Sequence, residues 1–239
     1  MGRKDKARNK LPRMRVNADE MAAEIRSELR SILRRMDDLR RPMPVELVEG
    51  VPEGEPRYLL RKGAAYESIQ EDVITLAGMV WHLKDRLKRW MAASGLECSP
   101  TIEEMAAAHK PMLICGDLID SKKHGGGCNR SGYAPKVDGI GFRPNGLMAM
   151  KYDGALKAGE ILVMNPDPIP YTVEIVSGVC NATFGPAIDL ICNAFEQWCD
   201  LIDKADLLGG GDGESVQLRR LLQRFKNGTT PYFHSELIA

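Results

Sequence analysis

The stretch YESIQEDVITLAGMVWHLKDRLKRW, residues 66–90, decides the fold. Its apolar positions Tyr66, Ile69, Val73, Leu76, Val80, Leu83, Leu87 and Trp90 alternate steps of three and four without a break. Such spacing lays the side chains along one stripe of an α-helix and nowhere else. The pattern predicts one long amphipathic helix over residues 64–93, its seam against neighbouring helices and Gly95 as its terminator.

The same logic extends in both directions. Upstream, Asn17 followed by Glu20 reads as a capping-box-like helix start. Met21, Ile25, Leu29, Ile32, Leu33, Met36 and Leu39 then recur at helical spacing until Arg41-Pro42 ends the run. Residues 41–56, RPMPVELVEGVPEGEP, read as a connection punctuated by proline and glycine. Downstream, Ser99-Pro100-Thr101 with Glu104 opens a further helix. Pro111 kinks or restarts it, and Gly125 is placed to cap its end. After residue 125 the pattern changes to short strand-like runs, GLMAMKYD, EILVMN and YTVEIVSGV, separated by turn residues. A helical stripe returns with Ile188, Ile191, Phe195, Trp198 and Ile202. LLGGGDGE breaks it, and LRRLLQRFKNG is a short basic amphipathic helix with Gly228 as its cap.

The implied fold is mainly α, a helical bundle with a small β-strand insertion before the last core helix. Residues 1–15 form a basic arm without fixed structure, and residues 16–206 the bundle with its insertion at 137–179. Residues 207–239 are a linker, a short basic helix and a tail. A parallel α/β sheet is excluded because strands and helices do not alternate along the chain.

Lys+Arg and Asp+Glu balance at 33 each, so overall charge steers the chain toward neither nucleic acid nor membrane. Local charge is uneven: Arg3, Lys4, Lys6, Arg8, Lys10, Arg13 and Arg15 face only Asp5 in the first fifteen residues. No apolar run follows this basic start as in a signal peptide, and no stretch reaches the length of a membrane span. The six cysteines are scattered, several inside apolar helical patterns, which suits reduced thiols in a cytoplasmic protein. Cys115, His124 and Cys128 supply three ligands without a paired C-x-x-C, so neither a metal site nor any cofactor is expected.

One polar patch stands out, LICGDLIDSKKHGGGCNRSG, residues 113–132. Asp117, Asp120 and His124 are spaced by three and four, so they share a helix face, with Lys122 and Lys123 on the same turn. A histidine at a helix C-terminus, oriented by a carboxylate, can serve as a general acid. A capped helix end needs no more than the same residues. On the long helix His82, Asp85 and Arg89 share a second face, with an i,i+4 salt bridge open to Asp85 and Arg89. Gly78, one turn earlier, leaves room for another backbone. The loop GGGCNRSG follows a helix, whereas a dinucleotide fingerprint follows a strand, and it lacks the ending of a P-loop. A basic glycine-rich loop can still offer backbone N–H groups to phosphate.

Trp81, His82, Leu83 and Asp85, then Cys115, Asp117, Leu118, Lys123 and His124, then a strand region and a last helix with Trp198, resemble a group of bacterial proteins with a helical core of HEPN type. The resemblance spans residues 60–205. It implies a fold shared with RNA-cutting toxins, RNA or a nucleotide as partner, and a homodimer. In HEPN ribonucleases an Arg precedes the catalytic His by four to six residues and cleavage needs no metal. None of His82, His109, His124 and His234 has an Arg at that spacing. If the site is catalytic, His124 is the acid/base and Asp117 and Asp120 orient it. Lys123 then contacts phosphate, with His82, Asp85 and Arg130 in the substrate site. The alternative is a non-catalytic interaction protein in which these residues form a polar network that fixes helix register.

Overall fold

The computed structural model describes residues 17–43, 45–50, 58–124, 129–142, 160–163, 171–180 and 182–204, and positions 207, 216, 218, 220, 221 and 223. The basic arm, the run GLMAMKYD, the caps at Gly125 and Gly228 and the side chain of Tyr66 lie outside the described residues.

The chain is mainly helical. Helix α1 (Ala18–Arg40) starts at Asn17, whose side chain accepts the Asp19 N–H rather than closing a box with Glu20. Helix α2 (Lys62–Ser94) is the long helix expected from the seam. Ile69, Val73, Leu76, Val80, Leu83, Leu87 and Trp90 are all buried, so the three–four spacing does report a core-facing stripe. Helix α3 (Ile102–Ala108) opens with a complete capping box between Thr101 and Glu104. Pro111 restarts the helix rather than kinking it. Helix α4 (Lys110–His124) begins one residue ahead of Pro111, where a missing N–H costs nothing. Helix α5 (Ala187–Lys204) buries Ile191, Phe195, Trp198 and Ile202, while Ile188 is half-buried.

Helix α2 is the axis of the bundle. On one side Arg35 of α1 reaches Asp72 at 3.1 Å, and Arg86 approaches Glu24 and Glu28 of α1 at 3.8 and 3.7 Å. On another, the Trp198 indole N–H of α5 donates to the Val80 carbonyl at 2.8 Å, a buried bond that satisfies the indole's only donor. The third side meets α4 through two notches. A Cβ on Gly78 would lie 3.0 Å from Ile119 Cδ1, and a Cβ on Gly116 would lie 2.9 Å from the Trp81 ring. Gly78 therefore admits a side chain, where the sequence suggested a backbone.

The strands depart from a self-contained insertion. β1 (Glu46–Leu47) and β2 (Tyr58–Arg61) precede the long helix, and β2 pairs antiparallel with β4 (Glu160–Val163), giving the order β1-β2-β4. The second sheet, β3-β5-β6, joins β3 (Pro135–Phe142), β5 (Tyr171–Ser177) and β6 (Thr183–Pro186), all antiparallel. β6 runs directly into α5, and Gln70 of α2 donates to the Val137 carbonyl of β3. Leu207 and Leu218 also join the bundle core, with Leu221 packed against it, so described positions of the region read as linker and tail contribute to the core. Among the described residues no helix is long and apolar enough to cross a membrane. Cys115, Cys192 and Cys199 are buried and unbridged, and burial pushes the Cys115 and Cys192 thiols up to about 12.

The two glycine notches are not equivalent. Ile119 presents the end of a flexible side chain to Gly78, whereas Gly116 faces a rigid indole. Gly116→Ala should lower stability by about 1–3 kcal/mol through overpacking, despite alanine's better helix propensity. Gly78→Ala should stay within about 1 kcal/mol of the parent. Urea denaturation of both variants checks the order; an equal or reversed effect would refute the rigid-ring contact.

Candidate functional site

Asp117 lies in the middle of α4, flanked by Gly116 and Leu118, and its side chain has no access to solvent. A carboxylate so placed is tolerated only when donors replace its water. Here they are backbone N–H groups: Arg130 donates to Oδ1 at 2.9 Å and Ser131 to Oδ2 at 2.8 Å. The turn that presents them is itself tied down. Asn129 Oδ1 accepts the Ala134 N–H at 2.8 Å, and the Asn129 carbonyl accepts the Gly132 N–H. Gly132 takes φ +82°, which glycine adopts freely, whereas Ala134 at φ +43° is held in the left-handed region by its surroundings. The Ala134 carbonyl accepts the Gly178 N–H of the β5–β6 turn, against which no Cβ would fit.

Asp120, one turn along α4, is 9% exposed and pairs with Arg130 Nη2 at 2.6 Å. The Arg130 guanidinium lies over the Trp81 ring at 5.5 Å, and the Lys84 ammonium lies over the same ring at 4.6 Å. Arg130 thus spans two elements, backbone to Asp117 and side chain to Asp120 and Trp81. Beyond it opens a groove of about 460 Å³, bordered by Trp81, His82, Asp85, Glu103, Asp120 and Arg130. Its cations and anions are matched: Lys84 contacts Asp85 at 3.3 Å and Glu103 at 3.5 Å, and Arg130 holds Asp120. Lys88 donates to Glu103 at 3.1 Å and, as the leading cause, holds that carboxyl below the usual range.

The residues singled out from sequence divide accordingly. Asp120, His82, Asp85 and Arg130 do share one groove. Asp117 is turned away from it to the 130–131 backbone. His124 is exposed at the end of α4 and makes no hydrogen bond or ion pair among the described residues. The residue that crosses to His82 is its neighbour Lys123, whose Nζ lies 3.4 Å from Nε2. Asp85 Oδ2 lies 3.6 Å from Nδ1 of the same ring. The expected Asp85–Arg89 salt bridge is absent; Arg89 Nε donates to the Asp85 carbonyl instead, leaving the carboxylate to Lys84 and His82. Among the described residues no three His, Cys, Asp or Glu side chains converge as metal ligands.

Sequence spacing did not reveal Trp81, Lys84 or Glu103 as groove residues, nor Asn129 and Ser131 as its supports. Packing of α2 against α3 and α4 brings the first three together, and the return of the loop after α4 onto Asp117 brings the other two.

Asp117→Asn keeps the shape but replaces one acceptor oxygen with an amide that opposes a backbone N–H. It should cost about 1–3 kcal/mol. Amide hydrogen exchange at Arg130 and Ser131 should accelerate with it. Asp120→Asn should cost less, about 1 kcal/mol or under, because its partner Arg130 is half exposed. Unchanged exchange at residues 130 and 131 in the Asp117 variant would disprove the anchoring role. Comparison of the whole chain with protein-family models, with curated proteins and with solved structures returns no match.

Proposed function

We propose that this is a non-catalytic interaction protein, a HEPN-like bundle whose groove beside Trp81 and Arg130 receives a polypeptide segment of a partner. The observation that carries this reading is the engagement of Asp117. Both of its oxygens are bonded to backbone N–H groups and none of its surface is open, so no substrate can reach it to exchange a proton. Asp120 is committed to Arg130, and His124 has no carboxylate to orient it among the described residues. These are the properties of a network that positions a binding surface.

A polypeptide suits the groove better than a phosphate backbone does. Asp85, Glu103 and Asp120 offset Lys84 and Arg130, so little surplus positive charge is left for phosphates. Side chains of either sign can instead exchange partners with the pairs already there, over the apolar Trp81 floor. An aromatic and an arginine side by side are also the residue types on which protein interfaces concentrate their binding energy.

The test is selection of peptides from a random displayed library against the intact chain. Selected peptides should lose about tenfold in affinity toward Arg130→Gln, equivalent to about 1.4 kcal/mol. That variant retains the backbone bonds to Asp117 but loses the pair with Asp120, so it should stay folded with a loss of about 1 kcal/mol in stability. Single-stranded RNA should bind weakly, with a shallow dependence on salt. RNA cleavage in the presence of chelator, abolished by His124→Ala, would overturn the reading in favour of a ribonuclease.

A further inference from the structure

The lysines of α2 and α4 near the groove residue His82 differ in what they touch. Lys122 Nζ lies 3.2 Å from Glu71, Lys88 Nζ 3.1 Å from Glu103, and Lys84 Nζ within 3.5 Å of both Asp85 and Glu103. A carboxylate partner holds an ammonium in its charged form, in which nitrogen has no lone pair to offer. Lys123 is placed otherwise. Among the described residues its Nζ meets no carboxylate within ion-pair distance and instead faces His82 Nε2 at 3.4 Å. Asp85 Oδ2 stands 3.6 Å from Nδ1 on the far side of the imidazole. In the tautomer that places Nδ1–H toward that carboxylate, Nε2 is an acceptor facing the amine. The sequence carboxylate, imidazole, amine has the logic of an activated nucleophile: a group that orients, a base, and the atom it deprotonates. His82 and Asp85 are 45% and 51% exposed and border the groove, so a small reagent can reach them.

We propose that Lys123 is a site of acylation by small activated acyl donors, acyl phosphates in particular, with His82 as base and Asp85 as the residue that positions it. His82 Nε2 takes one proton from the Lys123 ammonium. The free amine attacks the carbonyl carbon of the acyl phosphate; the N–C bond forms and the C–O bond to phosphorus-bound oxygen breaks. Phosphate leaves with that electron pair and carries the second nitrogen proton, while His82 returns the first to water. No electron transfer occurs, and the products are the amide and inorganic phosphate. The modification changes the Lys123 side chain and its contact to His82, which borders the groove. It requires no partner in the groove and stands independently of the interaction reading.

Lys122 supplies an internal control one residue away. The full-length chain is incubated with acetyl phosphate at mildly alkaline pH, and acetyl occupancy at Lys122 and Lys123 is followed by mass spectrometry after cleavage at acidic residues. Lys123 should acetylate at least about a hundredfold faster than Lys122, the lower end of what a positioned base contributes. His82→Gln removes the base from an exposed side chain and should lower the Lys123 rate itself by most of that factor. Asp85→Asn should lower the ratio as well, and Glu71→Gln, which frees Lys122, should leave the Lys123 rate unchanged. Equal rates at the two lysines in the parent chain would overturn the proposal, as would a Lys123 rate that His82→Gln leaves unchanged. Circular dichroism of each variant confirms that the same fold is compared.

Discussion

The reciprocal seating of α2 and α4 is the constraint on which the other features depend. Each helix gives up a side chain where its partner has a large one: Gly78 receives Ile119, and Gly116 receives the Trp81 ring. Two such contacts along antiparallel helices fix both their separation and their register, because sliding either helix by a residue would drive an indole or an isoleucine into backbone. The consecutive positions Val80 and Trp81 then serve different sides of α2. Val80 offers its carbonyl to Trp198 of α5, and Trp81 presses on α4. About 100° of rotation per residue makes that division possible within one dipeptide.

Placement of Trp81 determines what can be built above it. With one part of the ring sealed against Gly116, Arg130 and Lys84 stack over it, and Arg130 is further held by Asp120. The turn that carries Arg130 would be free to wander were it not for Asp117, which takes two of its backbone N–H groups. Burying a carboxylate is expensive, and two short backbone bonds offset that cost only if the turn is already close to the required shape. Asn129, Gly132 and the contact of Ala134 with Gly178 provide that shape. The groove is therefore supported from the helix pair on one side and from the β5–β6 turn on the other.

The helical part of this arrangement was legible in the sequence because helix seams are local. The steps from Ile69 to Trp90 report burial without reference to any other segment, and the Thr101–Glu104 box is closed within four residues. The strands were not legible to the same degree. β2 has four residues and finds its partner β4 about a hundred residues later, and Asp138, Gly139 and Gly141 weaken the strand signal of β3. For the polar patch, spacing placed Asp117, Asp120 and His124 on one face and invited a single role for all three. It could not show that the chain beyond α4 returns to cover Asp117 while leaving His124 uncovered. Burial of one member of a stripe by a later segment is a tertiary fact, outside the reach of periodicity.

The triplet Lys122, Lys123 and His124 makes the same point at smaller scale. In sequence it reads as one basic helix end, suited to a dipole or to a phosphate. In the fold its members point to three environments: a carboxylate on α2, an imidazole on α2 one groove wall away, and solvent. Basic residue type is common to the three, but what each can do follows the partner atom: a carboxylate of Glu71 for Lys122, an imidazole nitrogen of His82 for Lys123. The histidine with a part in the groove is then His82 on the long helix rather than His124 at the end of the motif. It is placed there by the same face of α2 that carries Gly78 and Trp81 into α4, so the helix contact that makes the fold also sets which lysine meets a base.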